Sequence, residues 1–157
     1  MRIGDDIIDS RDVIARFDEL QAEHEALKEA LDEATEELSS LADDASEDER
    51  NAAQEAEDDA DSALADWLGE NESEFADLKA LCDQGENYAD DWNHGATLVH
   101  DSYFEDYARQ LAEDIHGRDV ANADWPFSHI DWKEAAEALQ ADYTSIEVGN
   151  ETYWVRS

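Results

Sequence analysis

Residues 13–45 read VIARFDELQAEHEALKEALDEATEELSSLADDA, and their apolar spacing predicts how the N-terminal part folds. Its apolar residues recur at alternating intervals of three and four, which is the period of a helix packed along another helix. Heptad positions a are Phe17, His24, Leu31, Leu38 and Ala45, and positions d are Val13, Leu20, Leu27, Ala34 and Leu41. We therefore predict a coiled-coil helix whose packing or dimer contacts are made by Phe17, Leu20, His24, Leu27, Leu31, Leu38 and Leu41.

Signals at both ends delimit this helix. Ser10 is placed to cap its start, and the negative charge of Asp12 suits the helix dipole in the first turn. The heptad pattern stops at about Asp43. Ser46 and Glu49 then form a Ser-x-x-Glu capping box, which predicts that a second helix opens after a turn.

The second helix is predicted from a narrow stripe rich in alanine over residues 53–67, which allows close packing against the first helix. Gly69 interrupts the pattern, which resumes at Phe75 and ends near Gly85. One bent helix and two separate helices both fit this spacing. Cys82 lies on the apolar stripe, where a buried structural thiol is expected.

The C-terminal part has a different pattern. The sequence predicts a loop over 91–95, a helix over 103–115 that stops at Gly117, and a loop over 118–128. Another helix is expected from about Asp131 to Leu139. Two β-rich runs joined by Gly149-Asn150 predict a terminal β-hairpin.

Ten of the 14 aromatic residues follow residue 90, which places the main core in the C-terminal part. We expect Trp125, Trp132 and Trp154 to belong to that core. The predicted fold is thus mostly α, with two domains. Residues 1–89 form an acidic coiled-coil helical hairpin, and residues 90–157 form a small α+β domain that has an aromatic core and ends in a β-hairpin.

Charge is the dominant compositional feature. The 157 residues include 45 Asp and Glu against 10 Lys and Arg, which gives a formal charge of −35. Such a chain repels the phosphates of nucleic acid and the headgroups of anionic membranes, so neither is expected as a direct partner. A basic macromolecule is the expected partner.

The acidic residues concentrate in the predicted hairpin, which contains 30 of the 45. At about 1.5 Å of rise per residue, the paired helices carry about one net charge per 2.5 Å, against about one per 1.7 Å for duplex DNA. A rod of this kind matches the charge of DNA. We expect the contact residues to be Glu36, Glu37, Asp43, Asp44, Glu47, Asp48, Glu55, Glu57, Asp58, Asp59 and Asp61.

The acidity also has two interpretations that involve no basic groove, and both stay open. The acidic positions of a coiled coil are often only a solvated face, and halophilic adaptation also produces acidic surfaces in which Arg exceeds Lys, as it does here. Under these interpretations the protein is a structural or adaptor coiled coil whose acidity serves solubility.

No catalytic pattern is evident in the sequence. His94, His100, His116 and His129 lack a diagnostic metal-binding spacing, and a single cysteine cannot form a disulfide within the chain. We therefore expect a protein that is not an enzyme and has no metal or other cofactor. The absence of a secretory signal pattern and of a run of about 18 apolar residues leads us to expect a cytoplasmic protein.

Several blocks resemble a known group of proteins. They are residues 8–14 (IDSRDVI), 92–99 (WNHGATLV), 101–108 (DSYFEDYA), 111–115 (LAEDI), 125–127 (WPF), 130–132 (IDW), 142–145 (DYTS) and 152–154 (TYW). These blocks resemble acidic phage and prophage proteins, some of which are labelled ArdA-type antirestriction proteins.

The resemblance implies a phage protein that counters host defence by imitating DNA. Its implied target is a restriction or CRISPR-type nuclease, or another DNA-binding host protein, in the cytoplasm of the host cell. Together with the charge, this leads us to expect a dimeric DNA-mimic inhibitor.

Overall fold

The chain is mostly helical and contains one four-stranded antiparallel sheet, as a computed structural model that describes residues 2–117, 125 and 127–156 shows. The prediction of a mostly helical α+β class is therefore confirmed. The chain divides into two compact units, Met1–Ala15 with Asp77–Ser157, and Arg16–Ala76. These units do not test whether residues 1–89 and 90–157 fold as separate domains, so that division stays a prediction.

The predicted helices and the final hairpin occur in the predicted order, with shorter elements between them that were not predicted. In chain order they are β1 (Ile7–Asp9), α1 (Ser10–Ser40), α2 (Glu47–Tyr88), α3 (Trp92–Gly95), β2 (Thr97–His100), a 3₁₀ helix (Asp101–Tyr103), α4 (Phe104–His116), a second 3₁₀ helix (Phe127–His129), α5 (Trp132–Gln140), β3 (Tyr143–Val148) and β4 (Glu151–Arg156). Helix α2 continues through Gly69, so the predicted second helical segment is one helix and not two.

In the unit Arg16–Ala76, α1 and α2 pack against each other in antiparallel directions. Near the turn, the Thr35 hydroxyl donates a hydrogen bond to Glu57 over 3.3 Å. Further along, the rings of Phe17 and Phe75 stack with centroids 5.4 Å apart. Thr35 of α1 contacts Glu57 of α2, whereas Phe17, earlier on α1, contacts Phe75, later on α2. This order of contacts is that of two antiparallel helices.

The turn between the two helices carries the predicted capping box. The Ser46 hydroxyl accepts a hydrogen bond from the Glu49 amide at 3.2 Å, and the Glu49 carboxylate accepts one from the Ser46 amide at 2.8 Å. Two amides that the helix itself leaves without partners are thereby satisfied. Ser46 and Glu49 confirm the predicted start of α2.

The predicted cap at the start of α1 is wrong. Ser10 is buried, and its hydroxyl donates to the carbonyl oxygen of Trp92 over 2.6 Å, so it ties α1 to α3 and does not cap the helix. Asp9 takes the capping role, because its carboxylate accepts a hydrogen bond from the Arg11 amide at 2.9 Å. Hydrogen bonds from the side chain and backbone of Arg11 lower the pKa of Asp9 to about 2.

The sheet has the strand order β1-β2-β4-β3, and all neighbours are antiparallel. The predicted C-terminal hairpin is confirmed as β3 and β4, with Gly149 at a φ of 57° that suits a tight hairpin turn. One sheet face packs on α4 and α5 around Val99, Phe104 and Ala136. Residues on the other face are also buried; they are Ile8, Leu98, Ile146, Tyr153 and Val155.

The end of α2 pairs with the edge strand β3 through one side chain. The Gln84 amide group donates to the carbonyl oxygen of Glu147 over 2.9 Å and accepts from the Glu147 amide over 3.4 Å. A side-chain amide therefore binds both polar groups of a residue on the sheet edge, as a neighbouring strand would.

Several predictions for the C-terminal part need correction. Residues Trp92–Gly95 form the short helix α3 and not a loop, because Trp92 turns into the core. Trp125 is 78% exposed, so its assignment to the core is wrong, whereas Trp132 and Trp154 are half-buried. The predicted loop 118–128 lies mostly outside the described residues.

Strands β1 and β2 were not predicted. Each has only three or four residues. Such runs are too short for strand alternation to be distinguished from the flanking helical and loop sequence.

The packing of Trp92 against α2 generates a test of stability. A methyl group at Gly85 would overlap the Trp92 ring, whereas one at Gly69 on the same helix would meet no atom within 4 Å. We expect Gly85→Ala to lower the free energy of unfolding by about 1–3 kcal/mol through overpacking. Gly69→Ala is the matched control and should raise it by up to about 1 kcal/mol. Urea unfolding measures both, and equal effects would refute the Trp92 packing.

Candidate partner-binding surface

The unit Arg16–Ala76 holds the highest charge density in the chain. Its 61 residues include 23 Asp and Glu against three Lys and Arg, for a formal charge of −20. The remaining 96 residues carry −15. A basic partner is therefore attracted most strongly to α1, α2 and the turn between them.

We call the eleven predicted contact residues the acidic tip. They are Glu36, Glu37, Asp43, Asp44, Glu47, Asp48, Glu55, Glu57, Asp58, Asp59 and Asp61. Ten are exposed and Glu57 is half-buried. Because α2 rises about 1.5 Å per residue, its members of the acidic tip lie within about 22 Å of the turn.

The packing of the helices brings three separate sequence stretches of the acidic tip together. The hydrogen bond from Thr35 to Glu57 sets residues 36–37 of α1 at the level of residues 55–59 of α2. Asp43, Asp44, Glu47 and Asp48 flank the turn itself, and Asp61 lies further along α2. Carboxylates from both helices thus lie in the same part of the unit.

The acidic tip has little internal neutralisation. Arg50 is the only Lys or Arg between residues 36 and 61. Its guanidinium donates to the backbone carbonyl oxygen of Asp43 over 2.7 Å, so it serves to close the turn. The sequence did not reveal this use of Arg50, because its partner is a backbone atom.

An acidic face of α1 shares Glu36 with the acidic tip, and its other residues were not among the predicted contacts. A shallow depression on this face is lined by Glu25, Lys28, Glu29, Asp32, Glu33 and Glu36. Their spacing of three and four residues is the signal that identifies one helix face. We call this set the α1 acidic face.

The predicted packing residues of α1 lie on its inner side with different degrees of burial. Leu20 is fully buried. The others are half-buried; they are Phe17, His24, Leu27, Leu31, Leu38 and Leu41. His24 stacks on Trp67 with ring centroids 5.1 Å apart, so it packs within the pair of helices. We call Leu27, Leu31 and Leu38 the leucine stripe. The packing of α1 against α2 leaves it partly in contact with solvent.

The opposite end of the same unit is partly neutralised by an ion-pair cluster. Arg16 contacts Glu74 at 3.0 Å and Glu19 at 2.7 Å. The hydrogen bond from Arg16 holds the pKa of Glu74 below its usual range, and the two carboxylates raise the pKa of Arg16. The unpaired negative charge is therefore greatest toward the acidic tip.

Other predicted chemical features have specific places. Cys82 is buried, as expected for a structural thiol. Within the described ranges, no group of three or more His, Cys, Asp or Glu side chains is arranged to hold a metal ion. No helix in the described part of the chain combines the length and apolar character that crossing a membrane requires.

The capping box that shapes the turn gives a test with a pH signature. We expect Ser46→Ala to cost about 1 kcal/mol of unfolding free energy at neutral pH. Hydrogen bonds from Ser46 lower the pKa of Glu49. The stabilisation from these hydrogen bonds is complete above the ordinary pKa of a glutamate, and it is lost as pH falls through the lowered pKa of Glu49. The loss of unfolding free energy caused by Ser46→Ala should therefore be smaller in acid.

The control for Ser46→Ala is Ser39→Ala, which removes only an exposed hydroxyl bonded to the carbonyl oxygen of Glu36. Urea unfolding at a series of pH values compares the two variants. A Ser46→Ala penalty that equals the control at neutral pH would contradict the capping role.

Comparisons with known proteins identify no relative. The chain matches no protein-family model, no curated protein and no solved structure. The resemblance to acidic phage proteins therefore stays a prediction based on the quoted blocks. Function is inferred below from charge, exposure and geometry.

Proposed function

We propose that the protein is a DNA mimic of phage type that inhibits a host defence nuclease. The acidic tip and the α1 acidic face occupy the basic DNA-binding groove of a restriction or CRISPR-type nuclease. The observation that carries the proposal is the exposure of ten of the eleven acidic-tip carboxylates in a segment with one basic residue. The action is steric and electrostatic, and it requires no cofactor or catalysis.

The charge spacing of the unit Arg16–Ala76 supports this role. Its part of α2 contains 30 residues and is about 45 Å long at 1.5 Å per residue. A charge of −20 over that length is about one per 2.2 Å, compared with about one per 1.7 Å for duplex DNA. Carboxylates four residues apart on one helix face are about 6 Å apart, similar to neighbouring phosphates on a strand.

The assembly belongs to the same proposal. The leucine stripe of α1 has the heptad period of a coiled coil, and Leu27, Leu31 and Leu38 are only half-buried by α2. A homodimer in the host cytoplasm would cover these side chains. The direct partner is a basic protein, and neither nucleic acid nor a membrane is bound.

The target is identified by affinity capture from host lysate at low salt, with mass spectrometry of the bound proteins. Duplex DNA is added as a competitor in a parallel sample. Recovery of a DNA-processing complex that DNA displaces supports the proposal. Recovery only of partners that DNA does not displace contradicts it.

A charge-reversal experiment tests the contact surface. We expect changing Glu55, Glu57, Asp58 and Asp59 together to Lys to weaken target binding more than tenfold, because the electrostatic contribution is shared among many carboxylates. The matched control reverses four exposed acids of the other unit, Asp90, Asp114, Glu134 and Asp142. Wild-type binding should also weaken steeply with salt.

Titration calorimetry with the captured target measures both fourfold variants, and circular dichroism verifies that each is folded. If the variant in the acidic tip binds as tightly as the wild-type protein, the acidic tip is not the contact surface.

The half-buried leucine stripe favours one alternative, a structural or adaptor coiled coil whose acidity serves solubility or halophilic adaptation. In that case, replacing Leu27 and Leu31 with Ala abolishes partner binding, and reversing the acidic tip does not. Under halophilic adaptation, the protein unfolds at low salt.

A further inference from the structure

His100 lies between a serine and a glutamate in the unit that contains the sheet. Its Nδ1 is 2.7 Å from the Ser102 hydroxyl, and its Nε2 is 2.7 Å from the Glu151 carboxylate. The residues come from the end of β2, the following 3₁₀ helix and the start of β4. Serine, base and acid in this order form the arrangement that activates nucleophiles in acyl transfer.

The hydrogen bonds assign the proton on the imidazole. The backbone amide of Ser102 donates to His100 Nδ1 over 3.3 Å, so this nitrogen carries a lone pair. The Ser102 hydroxyl, the closer donor at 2.7 Å, shares this lone pair with the amide, and Nε2–H donates to Glu151. This tautomer has its unprotonated nitrogen facing the serine, as a general base requires.

Packing fixes the histidine ring. His100 has a side-chain exposure of 15%, and its ring meets the edge of Tyr153 with centroids 5.2 Å apart. Tyr153 is fully buried, and its hydroxyl accepts a hydrogen bond from the Gly4 amide over 2.7 Å. The ring orientation is therefore set by the core and not only by Ser102.

The serine is accessible to a substrate. Ser102 is exposed and lines a groove of about 290 Å³ between the start of α4 and α5. Phe104 and Ala136 provide an apolar floor, whereas Asp101, Glu105 and Glu137 outnumber the single cation, Lys133. These walls favour a small ester that is neutral or positively charged.

We propose that Ser102 is a nucleophile that His100 activates and Glu151 positions for the hydrolysis of small carboxylic esters. Ser102 Oγ bonds to the carbonyl carbon, and its proton moves to His100 Nδ1. The ester C–O bond breaks, and the alcohol leaves with that proton. Water then bonds to the acyl carbon and gives a proton to His100 Nδ1. The bond between that carbon and Ser102 Oγ breaks as His100 returns the proton to Oγ, and the carboxylic acid is released. This activity goes beyond the proposed inhibition, which needs no chemistry.

The test uses the full chain and 4-nitrophenyl acetate as the probe. We expect a burst of about one equivalent of 4-nitrophenolate and one acetyl group on the Ser102 peptide by mass spectrometry. Ser102→Ala should abolish the burst, and His100→Gln should slow it by about 10²-fold or more. Glu151→Gln should slow acetylation while leaving Ser102 acetylable.

Ser145→Ala is the matched control, because Ser145 is an exposed serine on β3. It should leave the burst unchanged. Acetyl groups on lysines alone, or an undiminished burst in Ser102→Ala, would overturn the proposal. Thermal unfolding of each variant separates loss of reactivity from loss of fold. The result is independent of target binding by the acidic tip, so the two proposals succeed or fail separately.

Discussion

Self-repulsion among 45 carboxylates limits how this chain can form a core. Each ionised carboxylate is costly to bury without a partner, so almost every acidic side chain must remain in water. A chain that keeps so much of its sequence on the surface has few residues left for a core. The protein meets this condition by placing many acids on a long helical pair, where a narrow apolar stripe suffices.

The two units handle the constraint in different ways. In the sheet-containing unit, bulky side chains such as Trp92, Phe104 and Tyr153 are fully buried and provide most of the apolar contact. In the helical unit, burial is limited mainly to Leu20 and Ala53, and aromatic stacking supplements it. The buried apolar core thus lies mainly in the sheet-containing unit, whereas the highest charge density lies in the helical unit.

The sequence predicted those features that depend on local patterns. The heptads predicted α1, Ser46 and Glu49 predicted the start of α2, and Gly149-Asn150 predicted the final hairpin. Features that depend on distant partners were missed. Ser10 resembles a helix cap, but tertiary contact with Trp92 uses its hydroxyl, and β1 becomes a strand only because β2 pairs with it.

The same distinction holds for the candidate sites. Exposure of the helical members of the acidic tip followed from periodicity, since charged residues opposite an apolar stripe face solvent. Asp43 and Asp44 lie in the turn between the helices. The interaction of Glu151 with His100 joins residues 51 positions apart and depends on the register of β2 and β4, which no spacing rule supplied.

The bond between Gln84 and the backbone of Glu147 has a consequence for self-association. An open sheet edge is a template on which a second chain can add a strand. The amide of Gln84 binds backbone polar groups of β3 that an added strand would need. The opposite edge strand, β1, spans only three residues. Molecules of this protein therefore have little sheet edge through which to join, and aggregation by strand addition is restrained by geometry as well as by charge.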